Sequence, residues 1–131
     1  MITSTTTVRV RYAETDQMGV VYYAHYFIWF EVARGDLLRH HGWTYREMEG
    51  TGVMLPVIEA KCEYLRPARY DDEIEIRTEG VIVSPVRMSF SYEVRANGRD
   101  GLVATGRTLH AAVDRNGRPC RLPERIAEVF A

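Results

Sequence analysis

The chain has 131 residues, which suits one domain and is too short for two domains of ordinary size. Its 17 basic and 18 acidic side chains nearly cancel, so no overall field draws it to nucleic acid or to an anionic membrane. Apolar residues make up 46% of the chain and charged residues 27%, which excludes a disordered protein. We therefore expect a single folded domain over residues 1–131.

The chain has two cysteines, Cys62 and Cys120, too few for a disulfide scaffold or a four-cysteine zinc site. The first residues, MITSTTTVRV, lack the apolar stretch of a signal peptide. Both features predict a reduced, cytoplasmic protein, and we expect neither a metal nor another cofactor. The longest apolar stretch, residues 18–30, is well short of the roughly 20 residues that span a bilayer, so no membrane insertion is expected.

The first predicted strand covers residues 7–12, where apolar and polar side chains alternate. A polar turn follows over residues 13–19. The segment from about 22 to 41 then has the length of a helix, and Gly42 marks its end. The first half of this helix is apolar on all sides, so we expect it to lie in the core and to emerge only in its second half.

Four more segments alternate with period two and are predicted strands: residues 58–64, 73–83, 87–95 and 102–114. Asn97-Gly98 and Asn116-Gly117 predict turns, and Pro123 predicts the start of a short C-terminal helix with Ile126, Val129 and Phe130 facing inward. The order of one strand, one helix and four strands predicts an α+β protein. Its five-stranded antiparallel sheet would wrap around one long apolar helix.

The turn before the long helix carries two carboxylates, Glu14 and Asp16, followed by Gly19. The first N–H groups of a helix have no partner within the helix, so they can hold an anion or a developing oxyanion. Asp16 lies beside these groups. From spacing alone, the favoured role of Asp16 is that of an ordinary turn or capping residue.

Two runs of sequence closely resemble the signature of the 4-hydroxybenzoyl-CoA thioesterase family. They are YAETDQMGVVYYAHY at residues 12–26, continuing to Arg34, and YLRPARYDD at residues 64–72. The resemblance covers nearly the whole chain in order. It implies the hotdog fold, which agrees with the sheet and helix derived above, and it implies hydrolysis of acyl-CoA thioesters.

The resemblance also implies roles for individual residues. Asp16 would be the catalytic carboxylate, acting as general base or as nucleophile, and the backbone N–H of Tyr23 would bind the thioester oxygen beside Gly19. A thiol leaves readily as a thiolate, so no strong general acid is needed. We expect the acyl group near the start of the helix and the coenzyme A phosphates on arginines. The substrate-binding candidates at the helix start are Tyr22, His25 and Tyr26, and the candidates for the phosphates are Arg66, Arg69 and Arg87.

Two other functions stay open at this point. A hotdog hydratase or dehydratase would use Asp16 together with His25, and a non-catalytic acyl-thioester binding protein would use Asp16 only to cap the helix. His40, His41 and His110 have no metal-binding spacing and are predicted at the surface or at a helix end. The family places its sites between subunits, so we expect a homodimer or homotetramer that binds acyl-CoA.

Overall fold

The computed structural model describes residues 1–130 of the chain. Within them, a short 3₁₀ turn at Tyr12–Glu14 precedes the long helix. The strands and α-helices, in chain order, are β1 (Ile2–Arg9), α1 (His25–His40), α2 (Tyr45–Gly50), β2 (Val57–Tyr64), β3 (Glu73–Ser84), β4 (Arg87–Ala96), β5 (Ala104–Ala111) and α3 (Glu124–Phe130).

The strands form one antiparallel sheet in the order β1-β3-β4-β5-β2. Strand β4 lies in its centre and alternates as the sequence predicts, with one face buried and the other bearing charged and hydroxyl groups. The buried face of β4 consists of Met88, Phe90, Tyr92, Val94 and Ala96. Because apolar side chains occupy one face only, the sheet has to be covered on that side.

Helix α1 provides this cover. Its buried residues are Tyr26, Trp29, Phe30, Ala33, Leu37 and Leu38. The ring of Phe30 stacks on Tyr92 of β4, with 4.2 Å between ring centroids. The same ring lies so close to Gly106 of β5 that an added Cβ would come within 2.4 Å of it. The helix can therefore approach the sheet only because position 106 has no side chain.

The predicted fold is confirmed, but several boundaries differ. Helix α1 begins at His25 rather than Tyr22, because the Tyr22 N–H donates to the carbonyl of Glu14, 2.8 Å away, and this holds Tyr22 outside the helix. Strand β1 begins at Ile2 and already ends at Arg9, so Tyr12 is not in a strand. The sequence pattern did not predict α2, whose first turn is capped by the hydroxyl of Thr44 accepting from Glu47 N.

The turns and the C-terminal helix need smaller corrections. Gly98 and Gly117 both have positive φ, as the predicted turns require, but a seven-residue connection (97–103) rather than a tight hairpin joins β4 to β5. Strand β5 ends at Ala111 rather than near Asp114. Helix α3 buries Ile126 and Phe130, as expected.

The expectation that the first half of α1 is enclosed on all sides is wrong for the single chain. Ile28 is 49% exposed and Val32 is 43% exposed. Both lie on the side of α1 that faces away from the sheet core, and the neighbouring strand β2 is exposed along almost its whole length. One apolar face of the molecule is therefore left uncovered at the β2 edge. None of the helices within residues 1–130 is long and apolar enough to cross a membrane.

Candidate active site

A cavity of about 330 Å³ opens where the long helix begins. It is bounded by the turn that precedes α1, by the first residues of the helix and by the end of β2 with the loop after it. The lining residues are Asp16, Met18, Val20, Val21, Tyr23, Tyr26, Tyr64, Leu65, Arg66 and Pro67. The structure thus brings together Asp16, Tyr23, Tyr26 and Arg66, four of the residues predicted from sequence.

Residues 14–22 form a short β-hairpin, which we call the acid hairpin. Asp16 N donates to Val20 O over 2.9 Å, and Tyr22 N closes the ladder on Glu14 O. Gly19 makes the reversal with φ of +78°, a conformation that favours glycine, and its own N–H donates to Asp16 O. The structure therefore places Gly19 in the turn, with its N–H already used, and not among the groups that face the cavity.

The acid hairpin is fixed to the sheet through the segment between β2 and β3. Val21 N donates to Ala68 O over 2.8 Å, and Val20 forms an isolated bridge with Arg69. This segment is the second run of the sequence signature. The two runs of the signature are thus neighbours in space, and the second run holds the hairpin that carries Asp16.

Asp16 is half-buried, and its two carboxylate oxygens have different surroundings. Oδ1 accepts the N–H of Met18 over 2.9 Å, which is the ordinary turn-stabilising bond of an aspartate. Oδ2 accepts no hydrogen bond from any residue of the described range 1–130. The turn role and a chemical role are therefore compatible, because they use different oxygens.

The start of α1 has no side-chain cap. The residue before the helix, Ala24, has no capping group, and no acidic residue lies in the first turn. Within residues 1–130, the backbone N–H groups of Tyr23 and Ala24 donate to no acceptor. Free N–H groups at the positive end of a helix can bind a carbonyl oxygen as it becomes negative. Tyr23 lines the same cavity as Asp16.

Three tyrosines form the aromatic wall of the cavity. The Tyr64 hydroxyl donates to the carbonyl oxygen of Tyr23 over 3.0 Å, which ties β2 to the start of the helix. The ring of Tyr26 packs edge-on against Tyr64, with centroids 5.1 Å apart. Burial raises the pKa of Tyr26 to about 12, so its hydroxyl stays neutral. Tyr22 is exposed and tilted against Tyr23, and it does not line the cavity.

The three predicted phosphate-binding arginines are not brought together. Arg66 lines the cavity, and its guanidinium group bonds to the carbonyl of Asp100. Arg69 is exposed next to the acid hairpin. Arg87 pairs with Ala111 at the opposite end of the sheet from Tyr64, which pairs with Ala104. Arg87 does not line the cavity that Arg66 lines, because it lies at the opposite end of the strands.

His25 is not among the residues that line the cavity. Its Nδ1 is enclosed without a hydrogen-bond partner in residues 1–130, and its ring lies edge-on to Tyr22 at 6.3 Å. The structure therefore supplies no Asp16–His25 pair of the kind a hydratase would use. The surface position expected for His110 is wrong, since this side chain is only 1% exposed, whereas His40 and His41 are exposed as predicted.

Sequence reasoning missed the placement of three residues of this region. Tyr64 and Leu65 were noted only as part of a signature, and neither was predicted to face the cavity. Glu14 was noted as a second carboxylate of the turn, but nothing in its spacing indicates that it is buried and accepts a hydrogen bond from Trp29. That contact joins residues 15 positions apart, and no local pattern signals it.

The five-stranded antiparallel sheet around one long helix, with a carboxylate turn at the uncapped helix start, defines a hotdog protein. The family model described as "Thioesterase-like superfamily" matches residues 10–130, so the chain belongs to this family. The chain is 37% identical over 122 residues to a putative esterase of Aquifex aeolicus, covering 93% of each protein. It is 35% identical over 124 residues to the acyl-CoA thioester hydrolase YbgC of Escherichia coli, covering 94% of this chain and 92% of that protein.

Solved structures give the same family. The DHNA-CoA thioesterase of Staphylococcus aureus superposes with a TM-score of 0.93 at 33% identity, over 99% of this chain and 89% of that one. A protein of Aquifex aeolicus superposes with a TM-score of 0.90 at 35% identity, over 98% and 99% of the two chains. The predicted family and fold are therefore confirmed.

Proposed function

We propose that this protein hydrolyses acyl-CoA thioesters at the cavity beside α1, with Asp16 as the catalytic carboxylate and the Tyr23 N–H as an oxyanion donor. The observation that carries the proposal is the presence of an unpaired carboxylate oxygen and an uncapped helix start on the wall of one cavity. Membership of a thioesterase family and full-length relatives named as acyl-CoA thioester hydrolases support the reaction class.

The chemistry needs two groups, and both are present at the cavity. The helix N–H groups bind the carbonyl oxygen and stabilise its negative charge in the tetrahedral intermediate. Asp16 Oδ2 either takes a proton from the water that attacks the carbonyl carbon, or attacks that carbon itself to give an anhydride that water then cleaves. Each route ends in the free acid and coenzyme A. The thiolate of coenzyme A leaves without a strong acid, because a thiol has a pKa near 8.5.

The aromatic wall and Arg66 are proposed as binding groups. Tyr26 and Tyr64 would contact the acyl group beside the thioester, and Arg66 with the exposed Arg69 would meet the phosphates at the mouth of the cavity. His25 and Tyr22 do not line this cavity. We still propose them as substrate contacts, but for a part of the substrate that extends outside the cavity of one chain. Arg87 could contribute only from a second subunit, given its place at the far end of the sheet.

We propose that the active form is a homodimer, or a homotetramer built from it. The β2 edge of the sheet is unpaired, and exposed apolar side chains surround it: Ile28, Val32, Met54, Val57 and Ile58. A free strand edge next to an apolar surface favours pairing with a second copy of the same chain.

The two unpaired cysteines also support the proposed location in the reducing cytoplasm.

The test is a thiol-release assay over straight-chain, branched and aromatic acyl-CoAs, with the released coenzyme A measured continuously. We expect turnover of at least one class, and we expect that an enoyl-CoA added to the panel is not hydrated to a hydroxyacyl-CoA. Hydration of an enoyl-CoA without release of thiol would support the hydratase function instead. Tight binding without turnover of any thioester would support the non-catalytic binding function.

A further inference from the structure

The turn before α1 holds a second carboxylate that the proposed reaction does not use. Glu14 is only 3% exposed, whereas Asp16, two residues later, is half-buried and faces the cavity. Burying a carboxylate is costly unless hydrogen bonds replace its lost water. The surroundings of Glu14 must therefore supply those bonds, and the groups that do so show what the residue holds in place.

Three donors reach the Glu14 carboxylate. The backbone N–H of Arg11 donates to Oε1 over 2.8 Å, the indole N–H of Trp29 donates to Oε2 over 3.0 Å, and the Arg11 guanidinium group lies 3.5 Å from Oε2. Burial alone raises the pKa of Glu14. The hydrogen bonds from Arg11 and Trp29 outweigh burial, so the pKa lies below its ordinary value and the side chain is anionic at neutral pH.

The bond to Trp29 connects two parts of the proposed site. Trp29 lies in the second turn of the helix that begins with the free N–H groups, and Glu14 begins the acid hairpin that carries Asp16. Within residues 1–130, this is the one side-chain hydrogen bond between the acid hairpin and α1. The main chain of Glu14 closes the hairpin itself, because its carbonyl accepts the N–H of Tyr22, the residue before Tyr23.

We propose that Glu14 is a positioning residue, whose carboxylate holds the acid hairpin against α1 through Trp29 and thereby fixes Asp16 relative to the N–H of Tyr23. The inference rests on the proposed function. A thioester carbonyl has to meet the helix N–H and the carboxylate of Asp16 at the same time. A misplacement of about 1 Å costs on the order of 100-fold in rate. Binding of coenzyme A depends on other groups, so its affinity is independent of this link.

Two substitutions break the same link from opposite sides. In Glu14→Gln, the amide keeps the size of the side chain but offers one acceptor oxygen, so its NH₂ group faces one of the two N–H donors. In Trp29→Phe, the ring stays apolar and the donor is lost. We expect each variant to lower kcat roughly 10-fold to 100-fold with KM changed less than about threefold, and the double variant to be no slower than the slower single one.

Trp43→Phe is the matched control. Trp43 is also buried, at 5% exposure, but it follows the other end of α1 and makes no hydrogen bond to Glu14 within residues 1–130. All variants are assayed well below their own unfolding temperatures, and Asp16→Asn is measured beside them. Two results would overturn the positioning role. One is an equal loss of kcat in Trp43→Phe and Trp29→Phe, and the other is a loss of kcat in the double variant equal to the product of the two single losses.

The same assay separates the inference from the function on which it rests. If Asp16→Asn loses activity while Glu14→Gln keeps the kcat of the unmodified protein, Glu14 has no positioning role and the function stands. If Asp16→Asn keeps full turnover, the proposed function and the role of Glu14 fail together, because no catalytic carboxylate is left to position.

Discussion

His110 makes the protein sensitive to acid in a way that can be worked out from its contacts. His110 lies on β5, and its side chain is buried against the loop before β2. Its Nδ1 lies 2.9 Å from the carbonyl oxygen of Leu55, and a carbonyl can only accept, so Nδ1 carries the proton. Nε2 is then the acceptor for the hydroxyl of Thr108 at 2.9 Å, and the hydroxyl of Tyr92 in turn donates to Thr108 over 2.7 Å. The arrangement requires a neutral imidazole.

Burial lowers the pKa of His110 from its ordinary value of 6.5 to about 4, since the charged form loses water and gains no acceptor at Nε2. Between these two values the unfolded chain binds a proton that the folded chain does not. Stability therefore rises with pH across this window and falls as the pH is lowered through it. From pH 7 to pH 4.5 the group alone lowers the unfolding free energy by roughly 2–3 kcal/mol.

The assay is urea unfolding at pH 7, 5.5 and 4.5 for the unmodified protein, for His110→Gln and for the control His40→Gln at an exposed position. We expect His110→Gln to be less stable at pH 7, because buried hydrogen bonds are lost, but to lose roughly 2–3 kcal/mol less unfolding free energy than the unmodified protein on going to pH 4.5. His40→Gln should follow the unmodified protein. Parallel stability curves for all three proteins would refute the assignment of a neutral, buried His110.

Three further predictions concern packing, coenzyme A and assembly. Gly106→Ala should destabilise the fold by about 1–3 kcal/mol in the same urea assay, because its Cβ meets the Phe30 ring, whereas Gly50→Ala, with open space around it, should be nearly neutral. Arg66→Ala should raise KM for an acyl-CoA and leave KM for the matching acyl-pantetheine unchanged, so equal effects on both thioesters would count against a phosphate contact. Light scattering should give at least twice the 15.1 kDa of one chain, and dilution should lower the activity per chain; a fully active monomer would contradict the proposed dimer.

The sheet could be predicted from the sequence because buried and exposed side chains alternate along the inner strands, whose buried face packs on one helix. Strand β4 is the clearest case, since its buried and exposed residues alternate as the pattern requires. The start of α1 could not be placed by pattern alone. Tyr22, Tyr23 and Ala24 are as apolar as the helix that follows, and a hydrogen bond to the distant carbonyl of Glu14 decides where the helix begins.

The candidate site was predictable only in part. A recognisable motif pointed to Asp16 and Tyr23, and the structure places both on one cavity. The arginine candidates rested on charge alone, and charge carries no information on where a strand ends, so Arg87 falls far from the other two. The contact of Glu14 with Trp29 and that of Tyr64 with Tyr23 join segments that are distant in sequence, and only the folded chain brings them together.

We propose that the charge on Asp16, and not its role in the turn, drives the reaction. Asp114 provides a comparable control in a turn away from the cavity. Its Oδ1 accepts the N–H of Asn116 over 2.9 Å, as Asp16 Oδ1 does with Met18, and also accepts the N–H of Arg118 over 3.0 Å. Asp16→Asn and Asp114→Asn both remove the charge of a turn aspartate and keep an oxygen that can accept these bonds. The decisive measurement is kcat for acyl-CoA hydrolysis by both variants. We predict a loss of roughly 100-fold or more for Asp16→Asn and less than about twofold for Asp114→Asn. Full turnover in Asp16→Asn, with release of free coenzyme A, would contradict the claim and leave Asp16 with its turn role alone.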